Sequence, residues 1–155
     1  MSEILKTCKE NGIHTAIETN GTCPFEKELF KNIDLIISDF KHYDPEKLQK
    51  CVGQVRDYRK NIRSYLASGK PVLIRTVLIN GFNAEKEDAV QFAEFFKKLP
   101  TENAAFEFLP YHEYGKNKWE KLGKPYQVRD AFVTQETVKF FEDIFHTYQL
   151  KTIRS

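Results

Sequence analysis

Three cysteines, one tryptophan, one methionine and a net charge of only +2 are what this sequence of 155 residues has little of. Each shortage excludes something. Cys8, Cys23 and Cys51 are odd in number and widely spaced, so they form no disulfide framework and suit a reducing cytoplasm. Basic and acidic residues nearly balance, 24 against 22, and are interspersed, which leaves no electrostatic case for nucleic acid or an anionic membrane. No stretch approaches the ~18 consecutive apolar residues of a membrane span. The opening MSEILKTCKENG has no apolar segment of the signal-peptide kind. GxGxxG, P-loop, GxSxG and HExxH motifs are missing, and His14, His42, His112 and His146 show no metal spacing. What is present is apolar material: 41% hydrophobic residues, with 13 Phe and 7 Tyr, are enough for one core. A single α/β domain over residues 1–155 is expected, soluble and cytoplasmic.

Helical and strand-like patterns alternate along the chain. Ser2 is placed to cap a helix that Gly12 ends, and Ile13 to Glu18 reads as a strand before the turn Thr19-Asn20-Gly21. Residues 25–31 are weakly helical, and Asp34 to Asp39 is a second strand. Pro45 opens a helix to Cys51, and another runs from Val55 to Ala67, closed by Gly69. Pro71 to Ile79 is the most strand-like run. Asn83 is expected to cap an amphipathic helix carrying Ala89, Ala93, Phe96 and Leu99 on one face. Ala105 to Leu109 is a strand, Pro110 to Asp130 a loop, and Thr134 caps a last helix with Val138, Phe141 and Phe145 inward. Leu150 to Ile153 reads as a final strand. Apolar strands alternating with helices predict a parallel sheet covered by helices, either doubly wound or a segment of a (β/α) barrel.

The strand ends carry the chemistry. They read Glu18-Thr19-Asn20-Gly21, Asp39-Phe40-Lys41-His42, Asn80-Gly81 and Tyr111-His112. In parallel α/β folds the carboxyl ends share one face, where ligand sites are built. Glu18, Asp39, Lys41, Arg75 and His112 are thus expected at one mouth. Arg75 shares a strand face with Leu73 and Val77, and a buried arginine needs a partner. Glu18, Asp39 and a ligand carboxylate or phosphate are the candidates. Cys51 reads as a small buried hydrophobe, with a reactive thiol the other reading. The basic-aromatic loop from Tyr111 to Arg129 is either solvated or a partner surface.

The stretches GIHTAIETNG, DLIISDFKHYDPEK, VLIRTVLINGFN and FLPYHEYGKNKWEKLGKPY resemble, in order, the later strands of radical S-adenosylmethionine enzymes that activate glycyl radical enzymes, the pyruvate formate-lyase type above all. The resemblance implies strands 3 to 6 of a (β/α)6 radical SAM barrel, mostly parallel. It implies S-adenosylmethionine and a [4Fe–4S] cluster as cofactors, reduced flavodoxin or ferredoxin as electron donor, and a glycyl radical enzyme as partner. Carried onto this sequence it assigns Thr19, Lys41, Arg75 and His112 to cofactor binding. Glu18 and Asp39 are assigned to a monovalent cation. Glu18 stands where members of the family carry Asp, so its carboxylate reaches one methylene further.

The family's CxxxCxxC cluster motif and its Gly-Gly-Glu stretch are not in these 155 residues, and no two cysteines lie closer than fifteen residues. The resemblance therefore implies the C-terminal part of such an enzyme, its cluster-binding portion missing and with no catalytic residue of its own, inactive alone. The alternative is a non-catalytic module that binds cofactor or partner. An open edge along Ile13 to Glu18 would favour homodimers.

Overall fold

The computed structural model describes residues 1–53 and 58–155, apart from the side chain of Cys51. The expected start of a helix at Val55 and the burial of Cys51 therefore lie outside the described residues. The elements are α1 (Ser2–Glu10), β1 (Ala16–Thr19), α2 (Lys27–Lys31), β2 (Leu35–Asp39), α3 (Pro45–Val52), α4 (Tyr58–Leu66), β3 (Val72–Leu78), α5 (Lys86–Lys97), β4 (Ala104–Pro110), α6 (Lys116–Lys121) and α7 (Gln135–Thr147). The strands form one sheet in the order β1-β2-β3-β4, parallel throughout. A doubly wound sheet reverses its strand order at a switch point. This one never reverses, so right-handed crossovers stack the helices on one face. That is the arrangement of a partial barrel.

Strand alternation then divides the residues. One face carries Ile36 and Ser38 of β2, Val72, Ile74, Thr76 and Leu78 of β3, and Ala104, Phe106 and Phe108 of β4, all buried. The helices close over it with Ile62 and Tyr65 of α4, Ala89, Phe92 and Phe96 of α5, and Phe141 and Phe145 of α7. Ring contacts knit this layer: Phe96 to Phe106 at 4.6 Å, Phe106 to Phe145 at 5.0 Å and Phe40 to Phe96 at 4.7 Å between centroids. The opposite, concave face carries Ile37, Leu73, Arg75, Val77, Ala105 and Glu107, several of them only half-buried. No helix among the described residues is long and apolar enough to cross a membrane.

Several boundaries differ from expectation. Met1, not Ser2, is the N-cap of α1, without a side-chain bond. β1 begins at Ala16 because Thr15 is held by its own polar contacts, its N–H by Asp34 Oδ2 at 2.9 Å and its Oγ1 by the Asn32 carbonyl at 2.7 Å. Glu85, not Asn83, caps α5, with its N–H on Asp88 Oδ2 at 3.1 Å. Asn83 is fully buried and is consumed elsewhere: its Oδ1 accepts from the Ile79 N–H, and its Nδ2 donates to the Val77 and Lys41 carbonyls. The expected loop after β4 contains the short helix α6. The expected last strand shrinks to a parallel bridge between Thr152 and Phe106.

Candidate functional site

At the end of β2 the backbone of Asp39-Phe40-Lys41 is fixed from every side. The Tyr58 hydroxyl donates to the Asp39 carbonyl at 2.7 Å and accepts from the Lys41 N–H at 3.0 Å. Thr76 Oγ1 donates to the Phe40 carbonyl at 2.9 Å, and Asn83 takes the Lys41 carbonyl. With Phe40 buried as an anchor, Asp39 and Lys41 project the other way and pair, Nζ to Oδ2, at 2.9 Å. Both remain partly exposed. Burial pushes the Tyr58 phenol above its ordinary value, so it stays protonated in this bracing role.

The end of β1 is braced by the same helix. Gly21 has φ +75°, a conformation that favours glycine, and a Cβ there would lie 2.7 Å from the Tyr58 ring. Asn61 of α4 donates to the Gly21 carbonyl at 3.0 Å, and Thr19 Oγ1 accepts from the Gly21 N–H at 3.2 Å. The strand ends carrying Glu18-Thr19 and Asp39-Lys41 thus share one support, Tyr58.

Arg75 lies between them. The register sets Asp39, Arg75 and Glu107 side by side across β2, β3 and β4. Arg75 Nε donates to Glu107 Oε2 at 2.7 Å, and Nη1 to Glu18 Oε1 at 3.4 Å. Glu107 is 1% exposed, Arg75 25% and Glu18 63% at the side chain, so the ladder runs from interior to solvent. The Glu107 bond above all, together with the nearby carboxylate charges, raises the Arg75 guanidinium beyond its already high value. Burial pushes the Glu107 carboxyl up, but the hydrogen bonds from Ser155 and Arg75 outweigh it and hold Glu107 below its usual range.

The structure brings Glu18 and Arg75 together, and Asp39 and Lys41 together. Of the two acids expected to pair with Arg75, Glu18 does and Asp39 does not; the buried partner is Glu107, which sequence reasoning missed. The signal was present: an acid flanked by Phe106 and Phe108 must face away from them, toward the same side as Arg75. Thr19 is in register with Ser38, which puts its side chain on the helix-covered side of the sheet. His112 lies beyond β4, exposed, with its ring stacked on Tyr114 at 4.1 Å and its Nδ1 accepting from the Tyr114 N–H. Among the described residues no group of three His, Cys, Asp or Glu side chains is placed to hold a metal.

No protein-family model matches the sequence. Curated proteins do. The chain is 37% identical over 140 residues to the pyruvate formate-lyase-activating enzyme of Staphylococcus epidermidis, covering 84% of this chain and 55% of that protein. The enzyme of the same name from Staphylococcus aureus is 34% identical with the same coverage. A solved domain of pyruvate-formate lyase-activating enzyme from Bacteroides vulgatus superposes with a TM-score of 0.78 at 27% identity, over 98% of this chain and 87% of that one. A radical SAM methyltransferase from Sphaerobacter thermophilus, 15% identical with a TM-score of 0.64 over 92% of this chain and 41% of that one, shares the fold. By sequence and by architecture, then, this chain is a relative of the pyruvate formate-lyase-activating enzymes, and it spans about half the length of the curated relatives it matches.

Proposed function

We propose that the chain is the C-terminal portion of a cytoplasmic radical SAM activating enzyme and that its concave mouth holds S-adenosylmethionine. The observation that carries this is the row of charges that runs from the carboxyl ends of β1 and β2 to the middle of β3 and β4. Three carboxylates, Glu18, Asp39 and Glu107, meet two cations, Lys41 and Arg75. They leave one negative charge in excess, which suits a ligand whose sulfonium and ammonium outnumber its single carboxylate. Arg75 and Lys41 would hold the carboxylate, and Glu18 and Asp39 the cationic side or a monovalent cation beside it. Thr19 shapes the β1 loop through Gly21, and His112 borders the mouth from the β4 loop. When bound, S-adenosylmethionine supplies the group that abstracts hydrogen from a glycine of a glycyl radical enzyme; this chain's own residues bind and orient it.

The [4Fe–4S] cluster does not fit these residues. Cys8 and Cys23 are fifteen positions apart in the sequence, and Cys51 is further still. Cluster chemistry, the reduced flavodoxin or ferredoxin that feeds it, and turnover belong to the whole enzyme, and the chain by itself is inactive. Calorimetry with S-adenosylmethionine tests the reading. Binding to the chain that falls by about tenfold or more in Arg75→Ala, to a level calorimetry still measures, and is weakened in Lys41→Ala supports it; no binding to the unaltered chain overturns it.

A second reading, a module that docks the glycyl radical enzyme without cofactor, draws on the segment after β4. Tyr114, Trp119, Leu122 and Phe132 are exposed there, beside Lys116, Lys118 and Lys121. Binding of a glycyl radical enzyme to the chain that Trp119→Ala abolishes, with no cofactor uptake, would favour it. β1 has β2 as its only strand neighbour among the described residues, so homodimers through that edge are proposed as well. A strictly monomeric species in sedimentation at high concentration would rule them out.

A further inference from the structure

Glu107 is buried within a strand between two phenylalanines, yet both of its oxygens are taken. Oε2 accepts from Arg75 Nε at 2.7 Å, and Oε1 accepts from the Ser155 N–H at 2.8 Å. The donor at Ser155 is itself held in place. Residues 151–153 lie along the outer edge of β4, where the Phe106 N–H donates to the Lys151 carbonyl and the Ile153 N–H to the Phe106 carbonyl, both at 2.9 Å. Arg154 forms a two-pronged pair with Glu142 of α7.

A guanidinium is planar, so fixing its Nε–H edge fixes the direction of the other edge. That other edge reaches Glu18 through a bond of 3.4 Å to a carboxylate that is 63% exposed. We infer that Glu107, clamped by the 151–155 segment, is a positioning residue that aims the Nη edge of Arg75 out of the mouth as a fork for a ligand carboxylate, with Glu18 the partner that the ligand displaces. The two acids on one arginine thus have unequal parts. Glu107 is permanent, because uncoupling it would strand a charge in the interior. Glu18 is exchangeable, because water can replace what it loses.

The inference rests on the reading of Arg75 as a ligand for the carboxylate of S-adenosylmethionine, and the experiment separates the two. In the ligand-free chain, the Arg75 Nε–H resonance, assigned by its absence from Arg75→Lys, is expected to be resolved and slowly exchanging. It should collapse into fast exchange in Glu107→Gln and persist in Glu18→Gln. For S-adenosylmethionine measured by calorimetry, Glu107→Gln is expected to lose roughly tenfold or more in affinity, the scale of one ionic hydrogen bond. The same change made in Arg75→Ala should alter affinity by less than about twofold, since the residue acts through the arginine. Glu107→Asp, which keeps the charge but withdraws it by a methylene, serves if Glu107→Gln does not fold. An Nε–H resonance unchanged in the Glu107 variant, or an equal loss of affinity with and without Arg75, overturns the inference. A chain that binds no S-adenosylmethionine overturns the proposed function, and the resonance still decides whether Glu107 positions Arg75.

Discussion

The two faces of the sheet are made by alternate residues of the same strands and solve opposite problems. On the helix-covered face Ile36, Ile74 and Phe106 disappear beneath aromatic rings, and nothing polar there needs more than a hydroxyl bond such as that of Thr76. On the concave face Asp39, Arg75 and Glu107 stand in one row and are kept by pairing, not by burial alone. The first face draws its stability from apolar area, and a change there is felt as a cavity. The second face contributes little net stability, because charges give up hydration to meet. Its value is direction. A slip of one residue in register would exchange the two faces entirely, so the packing of the first is also what holds the geometry of the second.

The sharpest way to test that division is to damage each face in turn. Phe106→Ala removes a ring that touches both Phe96 and Phe145 and is expected to destabilise the chain by about 3–5 kcal/mol. Denaturant unfolding measures it, and a loss below about 1 kcal/mol would mean the aromatic layer is not the keystone described here. Glu107→Gln, in contact with the concave face only, should cost about 1.5–3 kcal/mol at neutral pH, the value of an ionic hydrogen bond. Glutamine has one acceptor oxygen where two donors converge, and it turns an N–H toward the other. The pH dependence has a definite sign. The Glu107 carboxyl lies below its usual 4.5 in the folded chain, so its contribution is complete above that value and is lost as pH falls through the lower, folded one. The gap in stability between the native chain and Glu107→Gln should therefore close in strong acid and be widest near neutrality. A gap that does not vary with pH would show that packing, not charge, is what the glutamine disturbs.

How much of this could be read without the structure follows the same division. The helix-covered face was legible because periodicity reports apolar burial directly, and Val138, Phe141 and Phe145 of α7 lie where their spacing puts them. Arg75 was legible as an arginine in need of a partner, and Glu18, one of the two acids expected, does pair with it. Glu107 was missed, because setting it beside Arg75, and not merely on the same face, requires the register of β3 and β4. Asn83 looked like a helix cap because its type and place fit one, and nothing local shows that the ends of β2 and β3 need its amide more. His112 was legible as a residue at a strand end, but the setting of its ring was not, since past β4 it is aimed by its loop, here by stacking on Tyr114. The role of Tyr58 is purely tertiary.

Gly21 joins the two loops of the site to that tyrosine and ranks next in expected effect. Gly21→Ala places a side chain at φ +75°, which costs roughly 1–2 kcal/mol in conformation alone. Its Cβ also presses on the Tyr58 ring, whose hydroxyl holds the Asp39 and Lys41 backbone. The substitution should thus disturb a strand end that is not its own. Chemical-shift changes confined to residues 18–23, with none at Asp39 to Lys41, would break the claim that one tyrosine couples the two loops.

The smallest effect on stability, and the most discriminating, is expected from Lys41→Ala. The pair with Asp39 spans 2.9 Å but is 41% and 34% exposed, so water and salt already satisfy most of each charge. Its loss should change stability by no more than about 0–1 kcal/mol, less at high salt. The backbone of Lys41 is held by Tyr58 and Asn83, neither of which depends on the ammonium group, so the loop should keep its shape. If the concave face is built for direction, this nearly silent change must still weaken S-adenosylmethionine binding, because it removes a cation that the fold itself does not need. Stability unaltered and affinity reduced would separate the two faces within one variant. Affinity unaltered would leave Lys41 a solvated surface residue, and the site would contract to Arg75 and the acids on either side of it.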